Sequence, residues 1–180
     1  MEMYVGVARG CNPFADLIAG VTMMRLMPPW VMGRPATHAF PVFREGRMAM
    51  ALHAQPPRAT WGAFHVPPDP GSCQLWQVKL EQHAIQAAYK RACELEGTLY
   101  DPVELVQQLS VSLAKLPGLP GSYICTSLSI EVVQALGGFP EGIMDALPNK
   151  YPETFARAWE AAEGSWWLHR LKLPQEVLYG

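Results

Sequence analysis

The sequence lacks the short motifs that usually hold metals, phosphates or redox centres. It contains no CxxC pair, no GxxxxGK[ST] phosphate loop and no GxGxxG fingerprint. Its four cysteines stand far apart, at positions 11, 73, 93 and 125. A domain of this length does not need disulfides to form a core. We therefore expect no zinc ribbon, no thioredoxin-type centre and no cofactor.

Charge of either sign is also scarce. Lysine and arginine total 14 and aspartate and glutamate total 16, which leaves a net charge of −2. Such a balance predicts no attraction to nucleic acid or to an anionic membrane surface. Because 49% of the residues are hydrophobic and only 17% are charged, the composition is that of a globular protein.

No stretch resembles a transmembrane helix or an export signal. The most apolar run, residues 17–32, contains Arg25 and the pair Pro28-Pro29 and is too short to cross a bilayer. The N-terminus, MEMYVGVARG, has no basic region ahead of an apolar one. These features predict a soluble cytoplasmic protein without a membrane span, and they are also compatible with a phage-encoded protein or with export by another route.

The prolines divide the chain into short predicted elements without a linker. Of the 17 prolines, several cluster at 56–57, 67–70 and 117–120, and such clusters are typical of loops. Strands are predicted at 3–8, 37–43, 47–54, 61–66 and 75–80, and helices at 12–26, 81–96, 102–115, 125–136 and 153–163. Asp101 and Glu104 are predicted to cap the third of these helices. Strands early and helices late predict one α+β domain spanning residues 1–180.

Two histidines fall on the two arms of a predicted β-hairpin. His38 lies near the open end of the first arm and His53 near the open end of the second, and the short REG segment joins the arms. A turn at Glu45-Gly46 brings position 38 opposite position 53, so the two imidazoles become cross-strand neighbours. A slip of one residue would place them on opposite faces.

A cysteine follows the predicted loop that ends at Gly121 and opens an apolar helix, in the stretch GSYICTSLS. Unpaired N–H groups and the dipole at a helix N-terminus stabilise a thiolate. We therefore predict Cys125 as a nucleophile, His38 as its base and His53 as the residue that orients His38. Trp61, on a strand beside the hairpin, is predicted to line a substrate groove.

The segment THAFPVFREGRMAMALHA, followed later by SYICTSLSIEVVQALGG, resembles the circularly permuted papain-like hydrolases. This permuted branch of the NlpC-type superfamily includes the YiiX/YebB-like proteins and the lecithin–retinol acyltransferase group. In that branch a histidine strand comes first, a second polar residue follows on the next strand, and the cysteine comes later at a helix start. His38, His53 and Cys125 match these positions, and Tyr123 matches an aromatic residue two positions before the cysteine. Thr126-Ser127 stand where the family often has an acidic residue or asparagine, and Pro41 and REG replace its glycine-rich turn.

The resemblance implies a circularly permuted papain-like fold, with an antiparallel sheet packed against helices. It also implies a cysteine hydrolase or acyltransferase that cleaves an amide, ester or thioester through an acyl-enzyme, without metal or cofactor. The substrate would carry a peptide or lipid-acyl group, contacted near Tyr123 and Thr126. Two alternatives remain open. One is a non-catalytic papain-like binding protein with an interaction face at residues 23–32, and the other is a zinc site formed by His38, His53 and a cysteine.

Overall fold

The fold is described by a computed structural model of the chain. The described residues are 1–10, 15–16, 18–19, 35–65, 72–109, 119–137, 151–163 and 165–171. Residues 15, 16, 18 and 19 are helical, as predicted, and the remainder of the predicted helix 12–26 lies outside the described residues. Cys11, the apolar segment 23–32 and the loop 67–70 also lie outside them.

Eight strands of the described residues form one curled, mainly antiparallel sheet. They are β1 (Glu2–Ala8), β2 (His38–Glu45), β3 (Met48–Gln55), β4 (Arg58–Ala63), β5 (Cys73–Val78), β6 (Leu99–Tyr100), β7 (Ser122–Tyr123) and β8 (Leu168–Arg170). Their order across the sheet is β7-β6-β4-β3-β2-β1-β5-β8, and β6 and β7 are the parallel pair. The five predicted strands are present, and the predicted α+β class is confirmed.

The β2–β3 hairpin turns one residue later than predicted. Gly46 and Arg47 form its turn, and Gly46 adopts a φ of 60°, which a residue without Cβ tolerates. Val42 consequently pairs with Ala51, two positions away from the predicted partner. Because the shift is an even number of residues, every side chain keeps its face of the sheet.

Pairing between β2 and β3 stops well before the open end of the hairpin. The last pair is Val42 with Ala51, next to Pro41, whose nitrogen carries no hydrogen for a ladder bond. On its other side β2 stays paired with β1 as far as His38, which lies opposite Ala8. The first residues of β2 therefore lack a strand partner on the β3 side.

Four helices in the described part of the chain accompany the sheet. They are α1 (Gln82–Leu95), α2 (Pro102–Leu109), α3 (Cys125–Gln134) and α4 (Pro152–Ala161). Buried residues recur along α1 every three or four positions and face the main core. That core includes Trp76, Leu128, Val132, Phe155 and Trp159, drawn from β5, α3 and α4. No helix within the described ranges is long and apolar enough to cross a membrane.

Strand alternation separates two clusters of buried side chains. On β2, Ala39 and Phe43 belong to the main core with the helices, whereas Phe40 and Val42 belong to a second cluster. The second cluster draws its residues mainly from the strands, including Tyr4, and contains none from α1 to α4. His38 shares the face of Phe40, so its ring starts from the side of the sheet opposite the helices.

Candidate active site

The two histidines predicted to be neighbours are hydrogen-bonded to each other. His38 Nε2 lies 3.0 Å from His53 Nδ1, and the rings stack with their centroids 5.2 Å apart. The ring of Phe40 lies beside both, with centroid distances of 5.5 Å to His38 and 5.1 Å to His53. Since Nε2 of His38 is engaged with His53, Nδ1 is the nitrogen of His38 that remains to accept a proton from another group.

Both imidazoles are held in the neutral form. Burial, with a smaller contribution from the neighbouring His53, lowers the pKa of His38 from 6.5 to about 3. Burial also lowers the pKa of His53. A neutral ring has one N–H and one bare nitrogen, so one ring donates to the other; Nδ1 of His38 is bare when Nε2 of His38 is the donor.

Cys125 is the first residue of α3, and its side chain is buried. The backbone N–H of Ala39, on the stretch of β2 that has no partner on the β3 side, points to its sulfur, and Thr126 Oγ1 lies 3.9 Å away. Burial raises the pKa of the Cys125 thiol, and the N–H groups of Ala39, Thr126 and Cys125 itself oppose this shift. The N–H stabilisation predicted for a helix start is present, but burial outweighs it, so the resting thiol is protonated.

Cys125 and His38 line one cavity of about 650 Å³ at the open end of the hairpin. The other described residues of its wall carry no charge; they are Ala8, Gly10, Ala15, Ile18, Thr37, Ala54, Gln55, Pro56 and Tyr100. The cavity lies where β3 has separated from β2, so it is in contact with residues from both faces of the sheet.

The structure joins the three predicted site residues only in part. His38 is bonded to His53, and Cys125 shares the cavity with His38. The sulfur is not hydrogen-bonded to either ring among the described residues; its neighbours are the Ala39 backbone and Thr126. Alternation explains this, because the sulfur approaches β2 at Ala39 from the helix side while the ring of His38 starts on the other side.

A buried network fixes the start of α3. Ser127 Oγ donates to Glu104 Oε2 at 2.8 Å and accepts the N–H of Ile124 at 3.0 Å. Asp101 Oδ1 accepts the N–H groups of Val103 and Glu104, so the predicted capping by Asp101 is confirmed. The hydrogen bond between Ser127 and Glu104 was not predicted, because the two residues are 23 positions apart in the sequence.

The remaining predicted site residues lie away from the cavity wall. Tyr123, on β7, is half-buried and pairs with Tyr100. Thr126 is fully buried beside the sulfur. Trp61 lines a different cavity, with Phe43 and Tyr89.

Tyr100 lines the cavity and was missed by the sequence analysis. Burial raises its pKa, and the charges of Cys125, Glu104 and Asp101 raise it further, which reflects its proximity to the sulfur. Its position immediately before the cap residue Asp101 carries no chemical signal in the sequence. Only the pairing of β6 with β7 brings it to Cys125.

A metal site is not found in the described part of the chain, where no three His, Cys, Asp or Glu side chains are grouped to hold an ion. The cysteines described there, Cys73, Cys93 and Cys125, are all free thiols. No protein-family model matches the sequence, and no curated protein matches it. The quoted motifs and the geometry of this cavity are therefore the basis for any functional proposal.

Proposed function

We propose that this protein is a cysteine hydrolase or acyltransferase of the circularly permuted papain-like type. The observation that carries the proposal is a single cavity walled by both a helix-start thiol, Cys125, and an imidazole, His38, that is oriented by a second imidazole, His53. A nucleophile, a base and an orienting group are the parts that thiol-based acyl transfer requires.

Because both the thiol and the imidazole are neutral at rest, deprotonation accompanies attack. His38 Nδ1 takes the proton as Cys125 Sγ bonds to the acyl carbon, and the carbonyl π electrons move to oxygen. The tetrahedral intermediate collapses, His38 returns the proton to the leaving group, and a thioester remains. Water, or another acceptor, then attacks the thioester with His38 as base and releases the thiol. The step requires the His38 ring to approach the sulfur when substrate enters, and contacts of this kind commonly tighten on substrate binding.

Backbone N–H groups around the sulfur are suited to stabilise the oxyanion. The N–H groups of Ala39 and Cys125 already point to Sγ. They therefore lie close to the oxygen of an acyl group whose carbon is bonded to Sγ.

The cavity wall favours an uncharged acyl group. No lysine, arginine, aspartate or glutamate belongs to the described lining, and burial lowers the pKa of its one described histidine, His38. Burying a charge without a partner is costly, so a charged peptide side chain would be excluded. Of the two expected substrate classes, a lipid-like acyl chain fits better than a peptide.

The test is acylation of the thiol by a neutral p-nitrophenyl ester of a short fatty acid. We expect a burst of nitrophenol, and intact-protein mass spectrometry should show one acyl group located on Cys125. Cys125→Ala should abolish both signals. Cys93→Ala, which removes an exposed cysteine elsewhere, should leave both unchanged.

An acyl group found on Cys93 alone, or a Cys125→Ala protein as active as the original, would contradict the proposal. The non-catalytic papain-like binding protein would then be the better description, since it is consistent with a buried thiol that makes no hydrogen bond to either ring.

A further inference from the structure

A second cavity, of about 570 Å³, opens at the turn end of the same hairpin. Three aromatic rings from separate elements meet there: Phe43 of β2, Trp61 of β4 and Tyr89 of α1. Their centroids are 5.3 to 6.0 Å apart, and Phe43 meets both other rings edge to face. Tyr89 is 38% exposed and Trp61 is half-buried, whereas Phe43 is buried, so a ligand would meet the rings of Tyr89 and Trp61. We call this cavity the aromatic cleft.

Two carboxylates stand at the aromatic cleft. Glu45 and Glu96 both belong to its lining, are exposed, and pair with no cation among the described residues. Hydrogen bonding by the Cys93 thiol raises the pKa of Tyr89, and the charges of Glu45 and Glu96 raise it further. Both carboxylates therefore act on the hydroxyl at the cleft.

Two cations also belong to the described lining, the guanidinium of Arg44 and the N-terminal ammonium of Met1, and each is engaged outside the rings; the ammonium donates to Gln82 Oε1 at 3.4 Å. Arg44 alternates to the opposite face of β2, where its guanidinium lies 3.4 Å from Glu2 and donates to the carbonyl of Gly46. Arg44 also interacts with Tyr4, a member of the second buried cluster, so the guanidinium of Arg44 lies on that side of the sheet.

We propose that the aromatic cleft binds an alkylated ammonium group, such as a trimethylammonium. The negative faces of aromatic rings attract a cation within about 6 Å of their centroids, and recognition of quaternary ammonium groups is the common use of such rings. Met48 and Met50 give the methyl groups apolar, adaptable contacts, and the two carboxylates balance the charge. An ammonium group without methyl groups would lose more hydrogen bonds to water than the cleft can replace, because the charged acceptors of the cleft are the two carboxylates.

The effect of the charge of the ligand can be separated from the effect of its shape. Isothermal titration of the full chain with choline is compared with 3,3-dimethyl-1-butanol, which has the same shape without the charge, at equal ionic strength. We expect choline to bind about tenfold more tightly than the neutral alcohol. A trimethyllysine peptide serves as a second arm and tells whether the group is taken from a small molecule or from a protein side chain.

The site is tested with variants on its exposed side. Tyr89→Ala should weaken choline binding about fivefold, and Glu45→Gln with Glu96→Gln should weaken it further without affecting the neutral alcohol. Trp166→Ala is the matched control, because Trp166 is 81% exposed and lies outside the cleft. Thermal unfolding of each variant verifies that the fold is retained. Equal affinity for choline and the alcohol, absence of choline binding, or unchanged binding in Tyr89→Ala would overturn the proposal.

Discussion

The two ends of the β2–β3 hairpin place their polar side chains in different environments. At the open end, Cys125 is buried and the two histidines, His38 and His53, are half-buried; burial lowers the pKa of both rings and raises that of the thiol. At the turn end, Glu45 and Glu96 stay exposed and charged beside aromatic rings. The same pair of strands therefore carries a cavity whose described wall has no charged side chain at one end and a cleft with two exposed carboxylates at the other.

The difference arises from strand pairing and from what covers each end. Pairing of β2 with β3 stops at Val42, so the open end has room for the N-terminus of α3 between the strands and the main core. The turn end is fully paired, and α1 reaches it with Tyr89 near the middle of the helix. Burial lowers the pKa of both histidines at one end, whereas the carboxylates at the other end are exposed.

The largest expected effect is on acyl transfer. His38→Gln removes the proposed base and should reduce the rate of acylation of Cys125 by about 10²- to 10⁴-fold. Tyr89→Ala, at the other end of the hairpin, should leave that rate unchanged. Stopped-flow release of nitrophenol measures both. If the two variants lose activity equally, the two ends are not functionally separate.

The next effect is the dependence of stability on pH. The pKa of His38 is about 3 in the folded protein, and the ordinary value of 6.5 applies to the unfolded chain. Between these pH values the unfolded chain binds the extra proton, so stability is complete above pH 6.5 and falls as the pH drops. The slope contributed by one such group is up to about 1.4 kcal/mol per pH unit.

Urea denaturation at a series of pH values measures this slope. His38→Gln should make it shallower, whereas His83→Gln, which removes an exposed histidine, should not alter it. Identical slopes in the original protein and His38→Gln would show that the ring of His38 is not buried in the neutral form.

A third prediction concerns the packing that supports the histidine pair. A Cβ on Gly6 would lie 2.4 Å from the ring of Phe40, and that ring stacks beside His38 and His53. Gly6→Ala should therefore cost about 1–3 kcal/mol of the free energy of unfolding through overpacking. Thermal or chemical unfolding gives the value.

Gly62→Ala is the matched control, because its Cβ would meet the ring of His53 at an ordinary 3.7 Å. Replacing a strand glycine that has room for a methyl group should be neutral or stabilising by about 0.5–1 kcal/mol. A Gly6→Ala protein as stable as Gly62→Ala would mean that Phe40 does not rest on Gly6.

The smallest expected effect compares the same substitution in two environments. Glu104→Gln keeps an oxygen that can accept from Ser127 but exchanges a charged acceptor for a neutral one, at a cost of about 1 kcal/mol. Glu96→Gln, at the exposed cleft, should change stability by less than about 0.5 kcal/mol. Unfolding midpoints measured under one set of conditions compare the two. Equal changes in stability would mean that the buried carboxylate of Glu104 contributes no more than the exposed carboxylate of Glu96.

Local patterns predicted much of the fold. The alternation of apolar residues and the REG turn located the hairpin, and the even shift of its register left His38 and His53 on one face. The loop ending at Gly121 located the helix that begins at Cys125. The circularly permuted papain-like topology and the catalytic roles stay predictions.

The cavity walls depended on contacts between distant segments. Tyr100 is ordinary in its own segment and reaches Cys125 only through the β6–β7 pair. Trp61 was predicted to line a substrate groove, yet it lies in the aromatic cleft with Tyr89. No local pattern predicts such meetings, because the residues are brought together by packing of whole elements.

The sequence by itself determined the faces of the strands, the starts of the helices and the neighbourhood of the two histidines, since each follows from the backbone periodicities of two and 3.6 residues. The tertiary structure alone decided the protonation of these groups and the composition of both cavities. The physical reason is that a pKa and a cavity wall depend on how much water the surrounding elements exclude, and elements from the whole length of the chain contribute to that exclusion.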